Sequence, residues 1–262
     1  MRQALLCCVL LPACMASAAS LTVASQNTLR LSQRASQLKH DTFKDQNGNY
    51  DVNLYQEVMK TADLDDVLPG NYTFEESPLQ GHSSYKETYG IIFKNTLTPV
   101  VGDTVDYPDA NNDFSRPPCG SLLEDGSGNK IFFVDYHAIF GKSPSVREAE
   151  IEEMGTVYTW FSTNSGQGQI DRVVIAGDWN MDADDDSFDN LKAIGTMEIE
   201  PNVESSLTKS GDPSEPYDHL AADATHVQLS NCVLIPLPNN MDEQEFRDDI
   251  SDHRGIECTI TY

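Results

Sequence analysis

Several apolar runs in this chain stop on residues that can do chemistry, and this limits the fold more than any bulk property does. Ile131-Phe132-Phe133-Val134-Asp135-Tyr136 ends on His137, and Arg172-Val173-Val174-Ile175-Ala176-Gly177 runs into Asp178-Trp179-Asn180. Asp252-His253 stands just before a last apolar run, residues 256–262. A first run, 21–27, ends on Asn27, and an alternating run, 51–57, ends on Glu57. Short apolar or alternating runs bounded by turn residues read as strands. Strand ends on one edge of a sheet converge, so Asn27, Glu57, His137, Asp178, Asn180, Asp252 and His253 are expected in one site.

The rest of the chain fits many short strands with a few helices between them. Residues 89–93, 226–229 and 232–237 read as further strands, and 32–39 as a short helix with apolar spots at Ala35 and Leu38. Residues 45–49 read as a polar turn, and 102–128, rich in Asp, Asn, Pro and Gly, as loop. A helix is expected to open at Ser145, with Glu148 completing a capping box. Its buried stripe would be Ala149, Met154, Val157, Tyr158 and Phe161. The pattern predicts an α+β sandwich, sheet on sheet with helices outside.

Met1-Arg2, an uncharged apolar run over 4–11 and Ala16-Ser17-Ala18-Ala19 have the layout of a secretory signal peptide, residues 1–19. A lipobox-like Leu10-Leu11-Pro12-Ala13-Cys14 offers a second reading, a lipid anchor at Cys14. The run is too short to span a membrane, and no other segment is apolar enough to try. The remaining residues, 20–262, hold no linker or repeat and are expected to form one domain, secreted and monomeric.

Against 17 Lys+Arg stand 42 Asp+Glu, a formal charge of −25. The bland reading is a solvated acidic surface. Such a charge repels nucleic acid at long range, so a phosphate-binding site here would need a divalent ion and a few local cations. Outside the signal region the cysteines are Cys119, Cys232 and Cys258. At most one intrachain disulfide can form; Cys232 and Cys258, in two nearby apolar runs, either pair or stay as buried thiols.

Carboxylates, amides and imidazoles gathered at strand ends make an oxygen-rich site suited to Mg²⁺ or Mn²⁺. Zinc would prefer Cys and His, and neither a CxxC nor an HExxH spacing occurs. Taken singly each residue has a dull explanation: Asp178 and Asn180 an Asx turn, Glu57 a solvated carboxylate, His137 an inert strand end. Their combination in order resembles the endonuclease/exonuclease/phosphatase superfamily, and within it the DNase I-like nucleases. Gln56-Glu57-Val58 is similar to the strand carrying that family's metal-binding Glu, Gly177-Asp178-Trp179-Asn180 to its Gly-Asp-x-Asn motif, and Ser251-Asp252-His253 to its closing Ser-Asp-His. Ser84-Tyr85-Lys86-Glu87 with Tyr89, Phe114-Ser115-Arg116-Pro117 and Tyr217-Asp218 resemble segments of the DNA-cutting branch.

The resemblance implies a four-layer sandwich of two mostly antiparallel sheets flanked by helices, and hydrolysis of DNA to 5′-phosphate and 3′-hydroxyl ends. It implies that His137 pairs with Glu87 and His253 with Asp218, and that Glu57, with Asn27 and Asp252, holds Mg²⁺ or Mn²⁺. Asp178 and Asn180 would orient water and hold the scissile phosphate, while Tyr85 and Arg116 would lie against the duplex. The sequence departs from the family in three places. Leu29 and Met59 stand where arginines are expected, beside Arg30 and Lys60, and no Cys lies between Cys119 and Cys232. The acidic run 182–186 lacks the EF-hand Gly and Glu, so a solvated loop is favoured over a structural Ca²⁺ site. Competing readings are a phosphatase or sphingomyelinase of the same superfamily, a toxin-type nuclease subunit, and an acidic binding protein on a dead scaffold.

Overall fold

The computed structural model describes residues 18–60, 62, 64–81, 85–141, 143–238 and 241–262. All but the last two residues of the expected signal peptide, with the Cys14 reading, lie outside them, as does Ser84. In chain order the first strands are β1 (Ser20–Leu31), β2 (Val52–Val58), β3 (Tyr72–Glu76), β4 (Thr88–Lys94), β5 (Thr98–Pro99), β6 (Val105–Asp106) and β7 (Cys119–Glu124). They are followed by β8 (Lys130–His137), β9 (Val173–Asp178), β10 (Met197–Glu200), β11 (Asp218–Asp223), β12 (Gln228–Leu234) and β13 (Ile256–Thr261). The helices are α1 (Gln37–Asn47), α2 (Pro144–Glu152), α3 (Met154–Thr163), α4 (Asp189–Lys192) and α5 (Glu243–Asp249).

Two sheets result, ordered β12-β13-β1-β2-β4-β3 and β10-β11-β9-β8-β7-β5, with β6 on β7. Pairing is antiparallel except for β1 with β2 and β8 with β9. Side chains alternate between the faces of a strand, which decides what each sheet buries. Val52, Leu54, Phe133, Val174, Ala176 and Leu220 meet between the sheets, while Phe132, Val134, Val173 and Ile175 point out under Met154, Val157 and Phe161 of α3. Phe43 of α1 and Phe246 of α5 cover the outer face of the first sheet with Tyr55 and Ile92. The α+β sandwich expected from the sequence is the architecture observed.

Several local expectations shift. β1 runs on to Leu31, so the first helix starts only at Gln37, where the Ser36 hydroxyl caps it through Lys39 N–H, and it absorbs part of the expected 45–49 turn. The expected 102–128 loop contains β7, a buried strand paired to β8 along its whole length. The helix expected from Ser145 starts at Pro144, with no side-chain cap on its N-cap Ser143, and breaks at Glu153 into α2 and α3. Ala149 is exposed, and Glu150 and Ile151 are buried in its place. Residues 228–234 form one strand with a register shift between Ser230 and Val233. Cys232 and Cys258 form a disulfide, and Cys119 is a buried thiol.

Candidate active site

Strand parity carries the chemical groups inward. On β9, Asp178 shares its face with Val174 and Ala176; on β8, His137 shares its face with Phe133; on β11, Asp218 shares its face with Leu220 and Ala222. The registers bring His137 opposite Asp178, and Asp178 opposite Asp218. Glu57 has the wrong parity for this face. A bulge between Tyr55 and Val58, with Glu57 at φ 58°, brings it into the same cavity as Asn27 and His137. Leu29, Arg30 and Asn180 share the left-handed conformation. Each such residue costs on the order of 1–3 kcal/mol, strain that concentrates at functional sites. Gly177 is required here, because a Cβ would stand 1.7 Å from Tyr136 O.

Asp178 Oδ2 is the centre of the cluster. Asn27 Nδ2 donates to it at 2.9 Å, while the Nε2 atoms of His137 and His253 stand 3.6 and 3.5 Å away. Each imidazole is held from behind. His137 Nδ1 donates to Glu87 Oε1 at 2.6 Å, and His253 Nδ1 to Asp218 Oδ2 at 2.7 Å. Ser205 Oγ also donates to Asp218 Oδ2, at 2.6 Å. Burial alone would lower both histidines. The carboxylates prevail, with Glu87 raising His137, and Asp178 and Asp218 pushing His253 up to about 10. Burial opposes ionisation of Glu87, but His137 and Arg116 hold its carboxyl below the usual range. His253 is therefore imidazolium at neutral pH, and both rings turn Nε2 toward Asp178.

Asn180 closes the near side. Its N–H donates to Asp178 Oδ1 at 3.0 Å and its Nδ2 to Ala138 O at 3.0 Å. On the other side, Tyr85 Oη donates to Glu57 Oε2 at 2.7 Å and Asn27 Nδ2 reaches Glu57 Oε1 at 3.3 Å. Asn27 Oδ1 accepts from Leu29 N–H at 2.9 Å, so its amide turns a donor, not an oxygen, toward the carboxylates. Burial pushes the Lys39 ammonium down to about 8 against the pull of Glu57 and Asp252, and its Nζ donates to Leu29 O at 2.8 Å. Asn27, Glu57, His137, Phe140, Asp178, Asn180, Tyr217, Asp252 and His253 line one cavity of about 490 Å³.

Every residue expected at the chemistry lies in or directly behind this cavity; of the two residues expected at a duplex, Tyr85 is half-buried and Arg116 is buried. Arg116 is 8% exposed; its Nε donates to His137 O at 3.0 Å, its Nη2 to Ala138 O at 2.7 Å, and it stands 3.7 Å from Glu87. It fastens the end of β8. Tyr85 is bound to the expected metal ligand Glu57. Sequence reasoning missed Ser205, Lys39 and the rim residues Phe140 and Arg147. Nothing in the local sequence marks Ser205 or Lys39, because a distant part of the fold brings each of them in.

The oxygens of Glu57, Asp252 and Asp178 make an acidic, all-oxygen set, which fits a hard divalent ion such as Mg²⁺ or Mn²⁺. Asp178, Asp218 and His253 also bring ligating atoms within 4.8 Å of one another. Those atoms are already spent on each other and on Ser205, so they read better as a proton-holding network than as a metal cage.

No protein-family model matches the sequence, and no curated protein does either. The fold has many solved counterparts. An endonuclease/exonuclease/phosphatase family protein from Bacteroides thetaiotaomicron superposes with a TM-score of 0.69 at 14% identity, covering 94% of this chain and 99% of that one. A mannosyl-6-phosphatase from the same organism gives 0.69 at 14% identity, over 92% of this chain and 100% of that one. D. rerio TDP2, solved with a single-strand DNA product, gives 0.64 at 17% identity, over 93% and 99%. At these identities the likeness establishes the fold, the one shared by the endonuclease/exonuclease/phosphatase proteins.

Proposed function

We propose that this chain is a secreted, divalent-metal-dependent phosphodiesterase that hydrolyses DNA to 5′-phosphate and 3′-hydroxyl ends. The observation that carries the reading is the pair of carboxylate-backed imidazoles converging on one carboxylate oxygen, Asp178 Oδ2, beside Glu57. A structural salt-bridge network needs no such convergence inside a cavity. Mg²⁺ or Mn²⁺ on Glu57 and Asp252 would supply positive charge against a non-bridging phosphate oxygen. Asp178 aligns the attacking water, fixed in its own orientation by Asn180 N–H and Asn27 Nδ2. As the water oxygen bonds to phosphorus its proton passes to the Asp178 carboxylate, the bond to the 3′ oxygen breaks, and an imidazolium Nε2–H gives that oxygen its proton. Glu87 and Asp218 hold the rings in place and favour their protonated form.

The fold shared with the DNA-bound TDP2 supports a nucleic-acid substrate, and the signal-like residues 1–19 support secretion. A second reading, hydrolysis of a small phosphomonoester, is favoured by the net charge of −25, which disfavours a polyanion. Plasmid nicking with Mn²⁺, with and without EDTA, followed by labelling of the new ends, tests the proposal. EDTA-sensitive nicks bearing 5′-phosphate are expected. An intact plasmid together with hydrolysis of a sugar phosphate would move the assignment to the second reading.

A further inference from the structure

One wall of the cavity is built in a way the hydrolytic chemistry does not require. Phe140 lines it and is 61% exposed, the only aromatic residue among the exposed large hydrophobic side chains described. On so acidic a surface an exposed ring beside a reaction site is a feature to be explained. The Arg147 guanidinium lies 5.1 Å from the Phe140 ring and 5.9 Å from the Tyr217 ring. Tyr217 in turn lies 6.5 Å from the His253 ring, at an interplanar angle of 31°. Phe140, Arg147, Tyr217 and His253 therefore follow one another as a series of flat groups leading into the site. Among the described residues Arg147 Nε is enclosed and makes no hydrogen bond, while its guanidinium meets the Tyr217 hydroxyl and forms no salt bridge to a carboxylate. Its charge is held by aromatic faces rather than spent on the protein's many acids.

We propose that Phe140 and Arg147 form a subsite for the unpaired nucleotide next to the scissile phosphate, so that the enzyme acts on single-stranded in preference to duplex DNA. This rests on the nuclease reading above and goes further by naming the strand state. An exposed ring offers stacking to any base, with little regard to sequence. A base inside a duplex has both faces covered by its neighbours, and presenting one to Phe140 means paying for unstacking. Arg147, next to that ring, is placed to meet the phosphate that follows. The residue expected to grip a duplex, Arg116, is instead buried under β8 and reaches no groove.

Binding tests this without relying on turnover. Fluorescence anisotropy of a short labelled phosphorothioate single strand, and of the matching duplex, is measured in EDTA for the wild type, Phe140→Ala and Arg147→Met. Phe140 lies on the surface, so its truncation leaves the core intact. Single-strand binding at least about tenfold tighter than duplex binding is expected for the wild type. Phe140→Ala should weaken single-strand binding by about tenfold and bring the two affinities together. Arg147→Met should weaken the single strand too, with a shallower salt dependence. Equal wild-type affinities, or a preference that survives Phe140→Ala, would overturn the subsite. Failure of the nuclease reading looks different, since single-strand preference would persist while Mn²⁺ with the ordinary phosphodiester oligonucleotide yields no cleavage.

Discussion

At the scale of single residues, the site assigns its groups by what stands behind them. His137 and His253 differ in partner, Glu87 or Asp218, but share Asp178 Oδ2 in front. Groups that act on one phosphate in one step are not additive. His253→Ala should lower kcat by about 10²–10⁴-fold. The His137/His253 double variant should lose little more than the worse single one, and product of the two losses in steady-state kinetics would place the histidines in independent roles. Arg116 gives the sharper contrast. A groove contact would spare small substrates, whereas a buried tie between Glu87 and the β8 carbonyls serves every substrate alike. Arg116→Met should therefore reduce kcat/KM on DNA and on a small phosphodiester by the same factor. It should also destabilise the fold by about 1–3 kcal/mol in urea unfolding, since it removes the side-chain donors to the buried His137 and Ala138 carbonyls.

Between the sheets lies a polar contact that belongs to the element scale. Gln56 on β2 donates to Asp135 on β8 at 2.6 Å, and both are fully buried just beneath the site. Burial pushes the Asp135 carboxyl well up, so the fold favours its neutral form more than the unfolded chain does. Between the ordinary Asp range and that raised value the folded state holds the extra proton, and stability falls as pH rises through the window. Asp135→Asn removes this loss. Its unfolding midpoint should exceed that of the wild type at pH 8, and the gap should shrink toward pH 4; a lower midpoint at pH 8 would show that the carboxyl is needed as an anion. How far such elements were legible in the sequence follows from what each depends on. β8 and β9 announced themselves as apolar runs ending in His137 and Asp178, and alternation alone set their inward faces. β7 was hidden because Pro117-Pro118 and the glycines around it read as loop, while its pairing with β8 is decided by distant residues. The Glu57 bulge is likewise a tertiary feature, which sequence order suggested only through the Glu motif. Arg116 was legible as a motif but not as a buried residue, since the Glu87 carboxylate and the His137 and Ala138 carbonyls that hold it come from distant parts of the chain.

At the scale of the whole molecule, the charge of −25 makes ionic strength a two-sided variable. Salt screens repulsion between the acidic surface and DNA, and it also weakens the few attractive phosphate contacts. The rate of DNA cleavage should stay flat or rise as salt is added from low ionic strength; a steep fall from the first increment would show a basic contact surface that the fold does not display. The central claim is that a divalent ion on Glu57 makes this cavity a phosphodiesterase. The most direct test is to titrate Mn²⁺ against oligonucleotide hydrolysis by the EDTA-stripped wild type and Glu57→Gln. The wild type should rise from no activity to a plateau, and the variant should need more Mn²⁺ and reach a lower one. Full wild-type hydrolysis in excess EDTA, or identical curves for the two proteins, would contradict it.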